Sequence, residues 1–220
     1  MAISDSTIQR YTHADPDVRL MLRVRDDDTA AFEELMLRYQ NRVASLMAHL
    51  VGRRDQGEDL AQEVFLRVFR SRKRYVPGSK FSTWLFTIAN NVASNALRTL
   101  SRRKEVRFAP GAPGDTGANP LENAAVASSG LMPGRQLEGA EMRAAVREAV
   151  GDLNERQRVA VLLAKFEGMS YADIGEVLDM TPQAVKSLLS RARGKLRTAL
   201  EPYMDQGKRV VATSEGDHDA

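Results

Sequence analysis

The side chains best suited to chemistry with a ligand are basic and hydroxylic, and they gather near the C-terminus. Lys186, Ser187, Ser190 and Arg191 stand at i, i+1, i+4 and i+5 within Thr181 to Leu200, a segment holding five Lys/Arg and no acid. On a helix this spacing puts them on one outward face, opposite the apolar Val185, Leu188 and Leu189. An arginine can pair bidentately with guanine, and a serine can bond a base edge or a phosphate, so this is chemistry that a DNA major groove could accept. Arg193, Lys195 and Arg197 follow, with charges that suit phosphates.

Catalysis has little to build on. Asp55, Glu58, Asp59 and Glu63 could form an acid/base or metal cluster on one helix, but no histidine or second acidic helix accompanies them. Such a carboxylate face is more often solvated or used for protein docking. The three histidines, His13, His49 and His218, are scattered, no glycine-rich phosphate loop is present, and there are no cysteines. We therefore expect no enzyme activity, no metal and no cofactor.

The recognition face needs a frame, and Ser170 to Arg193 supplies one that reads as a helix-turn-helix. Ser170 with Asp173 resembles a capping box, and Thr181 before Pro182 is an N-cap with proline at the first helical position. Ile174, Leu178, Met180, Val185 and Leu188 are apolar where two crossed helices bury contacts, and Gly175 is small where their backbones approach. Asp179 stands in the turn where glycine is common; Asp tolerates left-handed backbone better than most residues. The plainer alternative is a two-helix hairpin with a solvated basic face.

Upstream, the chain reads as helices throughout. Phe32, Leu35, Met36, Tyr39, Val43, Leu46, Met47 and Leu50 form one apolar stripe, begun by Asp28 or Thr29 and ended by Gly52. A second helix is expected over about 55–72, a loop at Tyr75 to Ser82 around Pro77-Gly78, and a third helix capped by Ser82 or Thr83. Residues 109–134 contain four of the eight prolines and five of the fifteen glycines, too little apolar surface to offset ordering entropy, and read as a flexible linker. Helical periodicity returns at about 137–150 and 155–166, the latter capped by Asn154; Glu201-Pro202 is expected to close the last helix. The fold class is all-α, two small helical domains joined by that linker. The expected boundaries are a flexible segment at 1–26, a first domain at 27–107, the linker at 108–135, a second domain at 136–200 and a disordered tail at 201–220.

Composition agrees with local rather than general polyanion binding. The net charge is only +3, yet Arg67 to Lys80 carries six Lys/Arg and no acid, and Arg98 to Arg107 carries five against one. The 43% hydrophobic content suffices for globular cores, and the 6% aromatic content fits helical ones. No apolar run is long enough to span a bilayer, no signal peptide is visible, and cysteine is absent, so a cytoplasmic location without membrane insertion is expected.

Two further motifs, taken with the helix-turn-helix, bring a family into view. Asp59-Leu-Ala-Gln-Glu-Val-Phe-Leu-Arg-Val-Phe and Lys80-Phe-Ser-Thr-Trp-Leu-Phe-Thr-Ile-Ala-Asn-Asn, in this order, resemble bacterial RNA polymerase sigma factors of the extracytoplasmic-function (ECF) group, which keep regions 2 and 4. The likeness covers roughly residues 28–105 and 136–200. It implies that Asp59, Gln62, Glu63 and neighbouring Arg67 dock on the clamp helices of the polymerase β′ subunit, with the β flap as a second contact. Glu63 and Arg67 also suit a simple i,i+4 pair. It further implies that the loop Tyr75 to Ser82 and the helix after it read and melt the −10 promoter element. Tyr75, Phe81, Trp84 and Phe86 offer rings, interleaved with Lys73, Arg74 and Lys80 for phosphates; base–aromatic stacking is worth about 1–3 kcal/mol per base. Tyr75 and Phe81 suit stacking better, while Trp84 and Phe86 suit core packing equally. Asn91 matches a polar position facing promoter bases. Arg98, Arg102, Arg103 and Lys104 would touch duplex backbone.

By the same resemblance Lys186, Ser187, Ser190, Arg191 and Arg193 belong to region 4 and bind the −35 element. Primary sigma factors carry two tryptophans where this chain has Thr87 and Ile88, so weaker melting and near-consensus promoters are expected. The expected partners are core RNA polymerase, promoter DNA and an anti-sigma protein. The linker either threads polymerase channels or tethers; fully extended, it could span about 85 Å. A stand-alone helix-turn-helix regulator is the main alternative, and a helical adaptor a more distant one.

Overall fold

Most described helix starts in this chain are set by side chains that satisfy the first backbone N–H groups, and the computed structural model shows where these lie. It describes residues 4–107 and 133–214, with side chains described for 4–102 and 141–203. Among these residues every regular element is helical.

Within the expected flexible segment at 1–26, the described residues from Asp5 to Arg25 form two helices. Helix α1 (Asp5–Ala14) is capped by Ser4, and α2 (Pro16–Arg25) is capped by Asp15, whose Oδ1 accepts from the Asp17 N–H at 2.9 Å. Val18, Leu20, Met21 and Val24 of α2 are buried, so this helix belongs to the first core. Its apolar face outweighs the polar composition that suggested disorder.

Helix α3 (Thr29–Val51) starts at Asp28, whose carboxylate accepts from the Ala31 N–H at 3.1 Å, and ends at Gly52 in a left-handed conformation, φ 77°. It packs most extensively on α4 (Arg54–Ser71). The two backbones meet at Gly57, where a Cβ would lie 2.6 Å from the Ala48 nitrogen, so no larger residue fits. After a short 3₁₀ turn (Arg72–Arg74), the loop leads to α5 (Phe81–Arg107). Here the start differs from expectation. Ser82 and Thr83 lie inside the helix, and the Phe81 N–H is satisfied by Asp15 Oδ2 at 2.9 Å. Residues 108–132 of the expected linker lie outside the described residues.

The second domain comprises α6 (Pro133–Gly151), α7 (Glu155–Phe166), α8 (Tyr171–Leu178) and α9 (Pro182–Ser214). Asn154 with Gln157 and Ser170 with Asp173 both complete capping boxes. Helix α9 continues through Pro202 instead of stopping there: proline removes one hydrogen bond, and the turns on either side carry the helix past it. The expected disordered tail is therefore helical as far as Ser214; residues 215–220 lie outside the described residues.

The two domains pack on each other. Helix α8 lies against α5, α7 touches α3, and buried apolar residues from both domains form one contiguous cluster.

Candidate nucleic-acid interface

The helix-turn-helix turn depends on two backbone features. Asp179 is left-handed at φ 52°, ψ 56°, and the Met180 N–H returns to the Gly175 carbonyl at 2.8 Å. A Cβ on Gly175 would stand 2.5 Å from the Met180 carbonyl oxygen, so glycine is required by contact with backbone. Thr181 Oγ1 accepts from the Ala184 N–H at 3.2 Å and starts α9.

On α9, Val185, Leu188 and Leu189 are buried, whereas Lys186, Ser187, Ser190 and Arg191 are exposed on the opposite face. The side chains of this face are lightly engaged. Ser187 Oγ donates to the Gln183 carbonyl at 3.1 Å, and Arg191 Nε donates to the Ser187 carbonyl at 3.4 Å, leaving both exposed to solvent. Arg193 reaches the Tyr171 hydroxyl at 3.2 Å, which ties α9 to α8.

In the first domain, Asp59 and Gln62 are exposed on α4, and Arg67 Nε donates to Glu63 Oε1 at 2.7 Å. Leu66 shares this face and is 50% exposed, an apolar centre among the polar groups that the motif alone did not reveal. Positions 59, 62, 63, 66 and 67 follow the helical period, so one rigid surface presents all five.

The loop before α5 differs from the expected stacking platform. Tyr75 and Phe81 are buried, not displayed. Phe81 packs edge-on against Tyr39, ring centres 5.3 Å apart, and Tyr75 against Trp84 at 4.8 Å. Pro77 is buried too, which folds the loop back on the domain, while Val76 is turned outward at 47% exposure. Phe86 is a core residue, and Trp84 is half-buried. Stacking a promoter base on Tyr75 or Phe81 would require the loop to move. Lys73 and Arg72 are paired with Asp27, and Arg72 also lies over the Phe69 ring at 3.9 Å.

Farther along α5, Asn91, Arg98 and Arg102 are exposed; the Arg103 side chain lies outside the described residues. Asn90, Asn91, Ser94, Asn95 and Arg98 form one wall of an open polar groove whose other wall is α7 and Leu178 of α8.

The second domain covers the loop that precedes α5. Lys80 Nζ lies 2.8 Å from Asp173 Oδ2, and Thr83 Oγ1 lies 3.3 Å from the other oxygen. Burial pushes the Asp173 carboxyl up, but hydrogen bonds to Lys80 and Ser170 and the Lys80 charge bring it below its ordinary value. Burial and the nearby Asp173 charge raise Glu176, against a hydrogen bond from Ser79. Arg42 pairs with Glu167, Arg158 donates to the Leu50 carbonyl at 3.2 Å, and Ser94 bonds Glu155. Among the described residues no group of three or more His, Cys, Asp or Glu could hold a metal ion, and no helix is long and apolar enough to cross a membrane.

A family model described as sigma-70 region 2 matches residues 35–103, and one described as sigma-70 region 4 matches residues 143–196. The chain is 34% identical over 191 residues to the ECF RNA polymerase sigma-E factor of Haemophilus influenzae, covering 86% of this chain and 97% of that protein. The chain belongs to the sigma-70 family, in its extracytoplasmic-function group. This sigma factor is also 32% identical over 196 residues to the RNA polymerase sigma-H factor of Pseudomonas aeruginosa, covering 86% and 95% of the two chains. Its fold resembles that of CnrH solved with the cytosolic domain of CnrY, at TM-score 0.60 and 22% identity, over 86% of this chain and 99% of that one. It also resembles the sigma factor RpoE solved with the anti-sigma factor NepR from Bartonella quintana, at TM-score 0.58 and 24% identity, over 77% and 96%. A sigma factor is a transcription initiation factor, so the role is promoter-directed initiation rather than that of a stand-alone regulator.

Proposed function

We propose that this ECF sigma factor binds core RNA polymerase through the α4 face of Asp59, Gln62, Glu63, Leu66 and Arg67. It then directs the enzyme to promoters with α9 on the −35 element and the start of α5 on the −10 element. It acts in the cytoplasm and performs no covalent chemistry of its own. The observation that carries this reading is a difference in exposure among three surfaces. The α4 face and the Lys186, Ser187, Ser190 and Arg191 face are both exposed, whereas Lys80 and Thr83 at the −10 surface are held by Asp173 of α8.

Such a chain can meet polymerase while closed. It reads both promoter elements only after α8 leaves α5, and docking of the two domains at separate places on the polymerase would hold them apart. Trp84 and Asn91, with the outward Val76 and Lys80, are then the groups nearest a captured strand, while Tyr75 and Phe81 support them from the core. Arg98, Arg102 and Arg103 continue along duplex backbone. An anti-sigma protein that stabilises the closed form is the natural antagonist, in keeping with solved structures of similar fold that hold such partners.

The test is run-off transcription with purified core polymerase. Wild type should give promoter-specific transcripts, and Arg191→Ala should lose about 1–3 kcal/mol at the −35 site. Duplex binding without polymerase dependence would instead favour a stand-alone regulator.

A further inference from the structure

Asp15 serves two helices with one carboxylate. Its Oδ1 accepts from the Asp17 N–H at 2.9 Å as the cap of α2, and its Oδ2 accepts from the Phe81 N–H at 2.9 Å, 66 residues away. Phe81 begins α5, so this N–H is one of those a helix start leaves without an internal partner. The local sequence supplies no cap: Ser82 lies within the first turn, and the Thr83 hydroxyl faces Asp173. A negative charge at this position also suits the positive end of the α5 dipole.

The loop that ends at Phe81 needs such a hold. Tyr75 at its other end is buried, and its hydroxyl has no hydrogen-bond partner among the described residues, which favours any loop conformation that returns it to water. Burial, then the Asp15 charge, push the Tyr75 phenol above its ordinary value, so Asp15 acts on the same pocket.

We propose that Asp15 is a positioning residue for −10 recognition, fixing the start of α5 and the backbone of residues 75–80 from α2 without touching DNA. The proposal rests on reading that loop as the −10 reader. It gives the N-terminal helices, which precede the matched sigma-70 region 2, a part in promoter selectivity.

The test uses the full chain with core polymerase and a promoter recovered by selection from a randomised duplex library. Asp15→Ser keeps a hydroxyl that caps α2 but leaves the Phe81 N–H unpaired; Asp15→Ala removes both bonds. Each should lower transcription that depends on the −10 element about tenfold, the effect of losing one charge-assisted hydrogen bond. Binding to polymerase and to a duplex carrying only the −35 element should be unchanged. Trp84, the one tryptophan in the chain and packed on Tyr75, should change its emission in both variants. If Asp15→Ser matches wild type while Val76→Ser and Lys80→Ala impair the −10 element, Asp15 merely caps α2 and the proposal is wrong. Equal losses at −10, −35 and polymerase binding would also overturn it, by showing a general folding defect. Normal −10 recognition in Val76→Ser and Lys80→Ala would remove the loop reading itself, and the proposal with it.

Discussion

Lys80, the residue before α5, points its Nζ at Asp173 Oδ2 across 2.8 Å, so the loop of one domain is tied to the first helix of the other domain's helix-turn-helix. The same Asp173 bonds the Ser170 hydroxyl at 2.6 Å and completes the capping box of α8. One carboxylate thus starts the DNA-binding motif and closes the molecule.

Because the folded value of Asp173 is depressed, its contribution is present above the unfolded carboxylate value of about 3.9 and is lost as pH falls through the lower folded value. Acidification below about pH 4 should therefore expand the chain as the domains part. Small-angle scattering checks this. A radius of gyration that stays constant until global unfolding would contradict it, and Asp173→Asn should be expanded at neutral pH already.

Arg42 and Glu167 form the second tie, with Arg42 Nε 2.8 Å from Oε2, and Arg42 also lies over the Tyr39 ring at 4.8 Å. The Glu167 side chain is only 4% exposed but Arg42 is 42% exposed, so Glu167→Gln should weaken closure by only about 1 kcal/mol. Charge reversal in Glu167→Lys should open the chain, and adding Arg42→Glu should close it again. A double-mutant cycle on the interdomain distance, read by fluorescence transfer, should show coupling above about 0.5 kcal/mol.

Arg158 joins four carbonyls: those of Val150, Gly151 and Leu153 at the end of α6, and that of Leu50 in α3. Burial lowers its pKa, yet its planar fork keeps several donors on fixed acceptors. Lysine cannot reproduce that geometry, so Arg158→Lys should cost about 2 kcal/mol in thermal or denaturant unfolding. An unchanged unfolding midpoint would refute this account.

Gly175→Ala should cost about 1–3 kcal/mol, because its Cβ meets the Met180 carbonyl at 2.5 Å and backbone cannot rotate away. Binding to a −35 duplex should fall with the loss of the turn, while the α4 face should still bind polymerase. Retention of full −35 affinity would show that the turn tolerates a side chain.

Much of this was legible where partners lie close in sequence. Ser170 with Asp173, Asn154 before α7, Gly52 after α3 and Thr181 before Pro182 all act as their residue types indicate, because a cap needs only neighbours within a turn. Helix α2 carries the same local signals: Asp15-Pro16 repeats the pattern of Thr181-Pro182, and Val18, Met21 and Val24 recur every third residue. Polar neighbours concealed it.

The aromatic residues around the loop mark the boundary of such inference. A tyrosine beside lysines can stack on a base or fill a core, and residue type does not choose between them. Tyr75 is buried against Trp84, and Phe81 against Tyr39 with its N–H on Asp15; the Tyr39 and Asp15 contacts span tens of residues.

By itself, then, the sequence determined helical content, the two-domain plan, which face of α9 is polar and exposed, and the family, all of which follow from local period, capping and motif order. Only tertiary structure decided that Asp15 caps a helix far along the chain, that α8 covers the start of α5, and which aromatics face solvent. Those outcomes depend on distant groups competing for the same N–H, charge or ring face, and no short stretch of sequence contains both competitors.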